Sequence, residues 1–451
     1  MVDIENVFGD FYQNVKDRRQ NVVKANSISI ESSDSSLVHE SFQTLPSGPQ
    51  EEYLLQTQIR PLFGKEGVNN FPIGTHPDFV ALEGTSETQH HYMCTMFVDI
   101  KGSTRLSLLY DLDSVFIFKN AVIQTCIEVV RSFDGHVHRL MGDAVMAFFG
   151  GSTKGKEDAI ADAINCSITL RAILEESIKP WMTKQGLESK DFGFRVGCDF
   201  GNDEEVLWGS FGYRSVGEVS ATGLPVDMAS KLQSLAGKNQ TMLGQGLLDF
   251  VYWPAKYSNI KERKRGQEKE SLPIVVPNMS DSGGNLLNYN MRLLDYYKCI
   301  DFSALPLVFR EKVAGSTVKH NPSIEFRCFV TSGNQRQEYI SASCYLEPGH
   351  DLLFEVKATT RSRLAFPLKV VFKKTNHGPK TPEDERDIEQ DGVVRYLQAR
   401  KTSTYNSSIA PYSITELNEG TSYRGLHTMK CEVFDNNQSL IFRDVIGVMI
   451  K

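Results

Sequence analysis

Two carboxylates stand where a metal-dependent enzyme would need them. Asp99 ends a short apolar run, Tyr92-Met93-Cys94-Thr95-Met96-Phe97-Val98, and is followed by the loop Lys101-Gly102-Ser103-Thr104. Asp143 sits beside Gly142 at a tight junction between two further apolar runs, 137–141 and 144–149. Runs of this length bounded by turn residues read as strands. The ends of neighbouring strands can bring two carboxylates close together, where they repel unless a cation lies between them. All-oxygen ligands select Mg2+ or Mn2+. The chemistry this suits is phosphoryl transfer, with two divalent cations activating the attacking oxygen and stabilising the departing one. Gly102, Ser103 and Thr104, near a helix start, offer backbone N–H groups to a triphosphate.

These residues need a scaffold, and the surrounding pattern describes one. After the 101–104 loop the spacing is helical through Val130, and Asp134-Gly135 is a turn. Residues 157–174 carry Ile160, Ile164 and Ile168 four apart, which predicts a helix. A strand is expected over 194–198 and a helix over 226–235. This alternation predicts an α+β domain with a mostly antiparallel sheet flanked by helices.

With those elements in place, three segments resemble the class III adenylate and guanylate cyclases. Phe97-Val98-Asp99-Ile100-Lys101-Gly102-Ser103-Thr104 is similar to their first metal-binding segment. Arg139-Leu140-Met141-Gly142-Asp143-Ala144-Val145-Met146-Ala147-Phe148 is similar to the second, and Val226-Asp227-Met228-Ala229-Ser230-Lys231-Leu232 to the last catalytic helix. The likeness covers residues 90–250 in order and spacing. It implies a homodimer with active sites at the subunit interface. Asp99 and Asp143 would hold the two metals, helped by the Ile100 carbonyl, while the substrate 3′-oxygen attacks its own α-phosphorus.

Departures from the family pattern point to the base. Purine cyclases usually carry Lys or Glu four residues before the second metal Asp, and here it is Arg139. Ser220 replaces the partner base-reading residue, and Asp227 and Lys231 replace the Asn and Arg of the last helix. Four residues apart on a helix, Asp227 and Lys231 share a face, so they can still reach ribose and phosphate. Arg139 resembles the corresponding residue of the pyrimidine cyclases of bacterial anti-phage Pycsar systems, and Tyr92 is expected in the same pocket. A guanidinium fork suits the adjacent O2 and N3 acceptors of cytosine, whereas uracil has a donor at N3. CTP is favoured over UTP, with UTP left open. An adenylate or guanylate cyclase with an unusual pocket and an inactive cyclase-like binding protein are the remaining readings.

The domains are expected as 1–88 (helix and linker), 89–255 (cyclase), 256–320 (connecting segment) and 321–451 (all-β). A helix is expected over residues 3–25, linker over 27–47, and an exposed loop at Lys261-Glu262-Arg263-Lys264-Arg265. Residues 368–378 and 421–427 resemble a small β sensor domain of bacterial defence cyclases. That likeness implies a phage-derived trigger and a separate cyclic-nucleotide effector. A net charge of -7 argues against a nucleic-acid partner. No apolar run suggests a membrane span, and the scattered cysteines fit a reduced, cytoplasmic protein.

Overall fold

The computed structural model describes residues 6–17, 53–213, 216–265, 268–275, 280–333, 335–360, 364–399 and 411–451. The expected 27–47 linker lies outside them, and the expected N-terminal helix is seen over 7–17. Phe8 of that helix packs edge-on against Phe118 and Trp181, with ring centroids 5.7 and 5.1 Å away.

The N-terminal half is built on a seven-stranded sheet. Its strands are β1 (Met93–Lys101), β2 (His136–Met141), β3 (Ala144–Phe149), β4 (Gly193–Gly201) and, after the separate β5 (Leu207–Tyr213) and β6 (Val216–Thr222) ribbon, β7 (Gln240–Gly244). The order is β2-β3-β1-β4-β7, continued by Met291–Leu294 and Ser258–Asn259. All pairs are antiparallel except β4 with β7. Two strands from the 256–320 stretch, read from the sequence as connecting, thus lie in this sheet.

Alternation along β1 sends Met96, Val98 and Ile100 to one core and Met93 and Phe97 to another. The first core is covered by α2 (Leu112–Ser132) and α3 (Lys156–Ile173). The helix expected to run continuously to Val130 is in fact two. A short α1 (Ser103–Leu109) ends at Tyr110, and Asp111 caps α2 by accepting from the Ser114 N–H at 2.8 Å. The second core lies under the β5–β6 ribbon and α4 (Leu224–Leu235), where Phe79 stacks on Trp208 at 3.9 Å.

α4 sits unusually close to the sheet. A Cβ on Gly197 of β4 would fall 2.3 Å from the Ala229 carbonyl oxygen and from the Gln233 nitrogen. Strand and helix backbones touch there, so only glycine fits.

Almost the whole circumference of α3 is buried, including Asp162 and Asn165. The sequence pattern implies one apolar face, and the second face is buried because the C-terminal domain covers it. Asn165 donates to the Ala342 carbonyl at 2.8 Å, and Asp158 accepts from the Tyr345 N–H at 2.7 Å. That domain packs a four-stranded sheet on a five-stranded one. Phe326, Phe354, Phe372 and Phe442 lie in the core of this sandwich.

The expected loop at 261–265 is instead a strand, Lys261–Arg265, paired antiparallel with Glu268–Leu272. Opposite charges meet across the two strands, Arg263 with Glu270 at 3.0 Å and Lys269 with Glu262 at 2.8 Å. Cross-strand ion pairs support a ribbon that buries little apolar surface.

Gly197→Ala should lower unfolding stability by about 1–3 kcal/mol through overpacking against α4. Urea titration would measure it, and an unchanged midpoint would contradict the close seating of the helix.

Candidate active site

The register of the sheet builds the carboxylate pair. Asp99 of β1 lies directly opposite Ala144, the first residue of β3. Asp143 is the neighbour of Ala144, in the two-residue turn that joins β2 to β3. Gly142 supplies the positive φ of 65° at the first turn position. Both acidic side chains therefore come to the same end of the sheet, and both are partly buried.

A third strand provides a countercharge. Arg195 of β4 lies opposite Asp99, on the side away from Ala144. Its Nε donates to Asp99 Oδ2 at 2.8 Å, and its Nη2 donates to the same oxygen. On the other carboxylate, the buried Ser103 hydroxyl donates to Asp143 Oδ2. Gly102 makes this reach possible, with φ 91° and a would-be Cβ only 2.7 Å from the Asp191 carbonyl. Ser103 is thus tied to the second carboxylate, while Thr104 is exposed on the first turn of α1.

This donor set fits a hard divalent cation. Two carboxylates at one sheet end, with the Ile100 carbonyl between Asp99 and Gly102 in sequence, are oxygen ligands of the right type. Asp99 already draws in a cation, the Arg195 guanidinium. Among the described residues no cluster of three or more His, Cys, Asp or Glu is gathered for a metal, so substrate phosphate oxygens or water would complete the shell.

A second group forms at the sheet edge. A β-bulge between Val137 and Arg139 makes His138 the extra residue of β2, a device that re-aims side chains beside functional sites. Arg139 reaches Glu218 of β6, with Nε donating to Oε2 at 3.2 Å and Nη2 pairing with Oε1. His138 Nδ1 donates to the Gly74 carbonyl at 2.9 Å, and burial lowers its pKa. Ser220 lies two residues beyond Glu218 on the same strand and is buried.

Asp227 and Lys231 form a third group. They project from α4 on its exposed face, opposite the buried Met228 and Leu232. Among the described residues neither has an ion-pair partner. The close contact at Gly197 fixes where this pair is presented.

The placement of Tyr92 in a substrate pocket is corrected. Its side chain is buried, and its hydroxyl donates to the carbonyls of Gly151, at 3.0 Å, and Lys154. Burial raises its pKa to about 12. It directly precedes β1. Sequence reasoning missed Arg195 and Glu218. The only hint of Arg195 was a charge amid the apolar and glycine residues of a strand whose other charged residue is Asp199, and Glu218 gave none.

Comparison with known proteins adds to this geometry. Residues 308–451 match the family described as Adenylyl/Guanylyl and SMODS C-terminal sensor domain. A cytidylate cyclase of Escherichia coli is 42% identical over 417 residues, covering 91% of this chain and 90% of the relative. A cytidylate cyclase of Staphylococcus aureus is 34% identical over 400 residues, covering 87% of each. Among solved structures, the adenylyl cyclase CyaB from P. aeruginosa aligns with a TM-score of 0.37 at 20% identity, over 46% of this chain and 95% of that one.

Arg195→Met should leave Asp99 without its countercharge. In EDTA, unfolding stability should then fall by about 1–3 kcal/mol, and millimolar Mn2+ should restore most of it. A melting temperature equally low with and without Mn2+ would count against Asp99 as a cation ligand.

Proposed function

The chain belongs to the cytidylate cyclase family, and from that premise we propose that it converts CTP to 3′,5′-cyclic CMP and pyrophosphate. The observation that carries this reading is the pair Asp99 and Asp143 at one sheet end, together with Arg139 held on Glu218 at the sheet edge. Asp99 and Asp143, with the Ile100 carbonyl, would hold two divalent cations, Mn2+ or Mg2+. When bound, these ions supply activation of the 3′-hydroxyl and neutralisation of the triphosphate charge.

The chain's own residues do the rest. Gly102, Ser103 and Thr104 approach the phosphates, with the Ser103 hydroxyl keeping Asp143 in position. Lys231 meets the negative charge that develops at the α-phosphorus, as a point charge rather than a fork. Asp227, one turn earlier, orients the ribose. A bond forms from O3′ to the α-phosphorus as the α–β bridging bond breaks. The 3′-hydroxyl proton leaves to solvent and pyrophosphate departs.

The site is proposed to be shared between two copies of the chain, one giving the carboxylates and the other Arg139, Ser220, Asp227 and Lys231. The exposure of Asp227 and Lys231 is what a shared site requires. So are the exposed apolar side chains of Leu224 at the start of α4 and of Phe211 and Tyr213 on the ribbon. The cyclic nucleotide would act as a second messenger in cytoplasmic antiviral defence, read by a separate effector. The C-terminal domain would respond to a phage-derived component.

Purified protein incubated separately with ATP, GTP, CTP and UTP in Mn2+, with products resolved by chromatography, tests this. Cyclic CMP is expected, falling at least about 100-fold in Asp143→Ala. Cyclic UMP alone would move the substrate to UTP. A purine product would defeat the role given to Arg139, and no product either alone or with a lysate of phage-infected cells would contradict the proposal.

A further inference from the structure

The cytidylate reading leaves open how one guanidinium tells cytosine from uracil, and Glu218 supplies an answer that rests on that reading. Arg139 meets Glu218 side-on: Nε donates to Oε2 at 3.2 Å and Nη2 pairs with Oε1. An arginine has five N–H donors in one plane. This pairing uses the side edge and leaves the terminal edge, one N–H each from Nη1 and Nη2, free to face outward. Each Glu218 oxygen keeps a spare lone pair. The two side chains are 42% and 37% exposed, so a base can reach both. His138 Nε2 stands behind the carboxylate at 3.9 Å, fully buried and without a hydrogen-bond partner among the described residues. Because Nδ1 is the nitrogen that donates to Gly74, a neutral His138 has no proton on Nε2 to take up Glu218's acceptor capacity.

We infer that Arg139 and Glu218 act as one unit that reads the Watson–Crick edge of cytosine as donor, donor, acceptor. Nη1 and Nη2 donate to O2 and N3, and Glu218 accepts from the 4-amino group. That sequence is the hydrogen-bonding face guanine presents to cytosine. Uracil offers acceptor, donor, acceptor, so it matches at O2 and conflicts at N3 and O4. At N3 an N–H would face an N–H, and at O4 a carbonyl would face a carboxylate. Glu218 is therefore a specificity-determining residue in its own right as well as the residue that orients Arg139. A site built to bond an exocyclic amine rejects the analogue lacking it, because its own polar group is then left unpaired.

The test uses the full-length protein, Glu218→Gln and three substrates: CTP, UTP and the triphosphate of 2-pyrimidinone riboside, which keeps O2 and N3 but lacks the 4-amino group. With the unaltered protein, kcat/KM for the 2-pyrimidinone compound should fall about 10–100-fold below that for CTP. In Glu218→Gln, CTP should lose a similar factor, the CTP preference over UTP should collapse, and CTP and the 2-pyrimidinone compound should become nearly equal. Equal losses for all three substrates would mean that Glu218 only supports the ribbon, and would overturn the inference. So would an unaltered protein that treats CTP and the 2-pyrimidinone compound alike, a comparison that needs no variant to fold. Failure of the cytidylate reading itself would appear earlier, as no cyclic CMP from the unaltered protein, and would take the inference with it.

Discussion

The antiparallel register that sets Asp99 against Ala144 is the constraint on which the rest of the site depends. It places two carboxylates side by side at the end of a buried sheet, where like charges are costly to hold without compensation. The fold meets this cost twice, through Arg195 on Asp99 and the Ser103 hydroxyl on Asp143. Neither bond closes the site, since Arg195 is partly exposed and a hydroxyl carries no charge. A small cation that coordinates both carboxylates has more to offer than either.

Backbone contact does the remaining positioning. Gly102 lets the chain turn at the Asp191 carbonyl so that Ser103 reaches Asp143, and Gly197 lets α4 lie directly on β4. These two glycines fix the phosphate end of the sheet and the seat of the helix carrying Asp227 and Lys231. On the other side of the sheet, α3 is gripped by both domains. It packs beneath β1 and β4 while Asp158 and Asn165 bond the C-terminal domain. Any shift of that domain would act on a helix that supports the catalytic strand.

What was legible in the sequence was whatever depends on neighbours in the chain. Asp99 and Asp143 sit at strand ends marked by their own flanking residues, and the α4 pair follows from the resemblance of residues 226–232 to the last helix of class III cyclases. Arg195 and Glu218 were not legible, because their partners lie 96 and 79 residues away. Tyr92 was misread because the carbonyls that bury and hold its hydroxyl, those of Gly151 and Lys154, lie 59 and 62 residues away. Nothing along the chain marks Asp158 and Asn165 as partners of a second domain, because the groups they bond, Tyr345 and Ala342, lie 187 and 177 residues away. The 261–265 ribbon was hidden for the converse reason, since its stabilising charges pair across strands rather than along one.

The central claim is that this carboxylate pair holds a divalent cation when nucleotide is bound. Anomalous diffraction at the manganese edge, from crystals grown with Mn2+ and a non-cyclisable α,β-methylene CTP, tests it most directly. The account predicts manganese between Asp99 and Asp143, with Arg195 released from Asp99. Nucleotide bound with no manganese at the pair, and Arg195 still on Asp99, would contradict it.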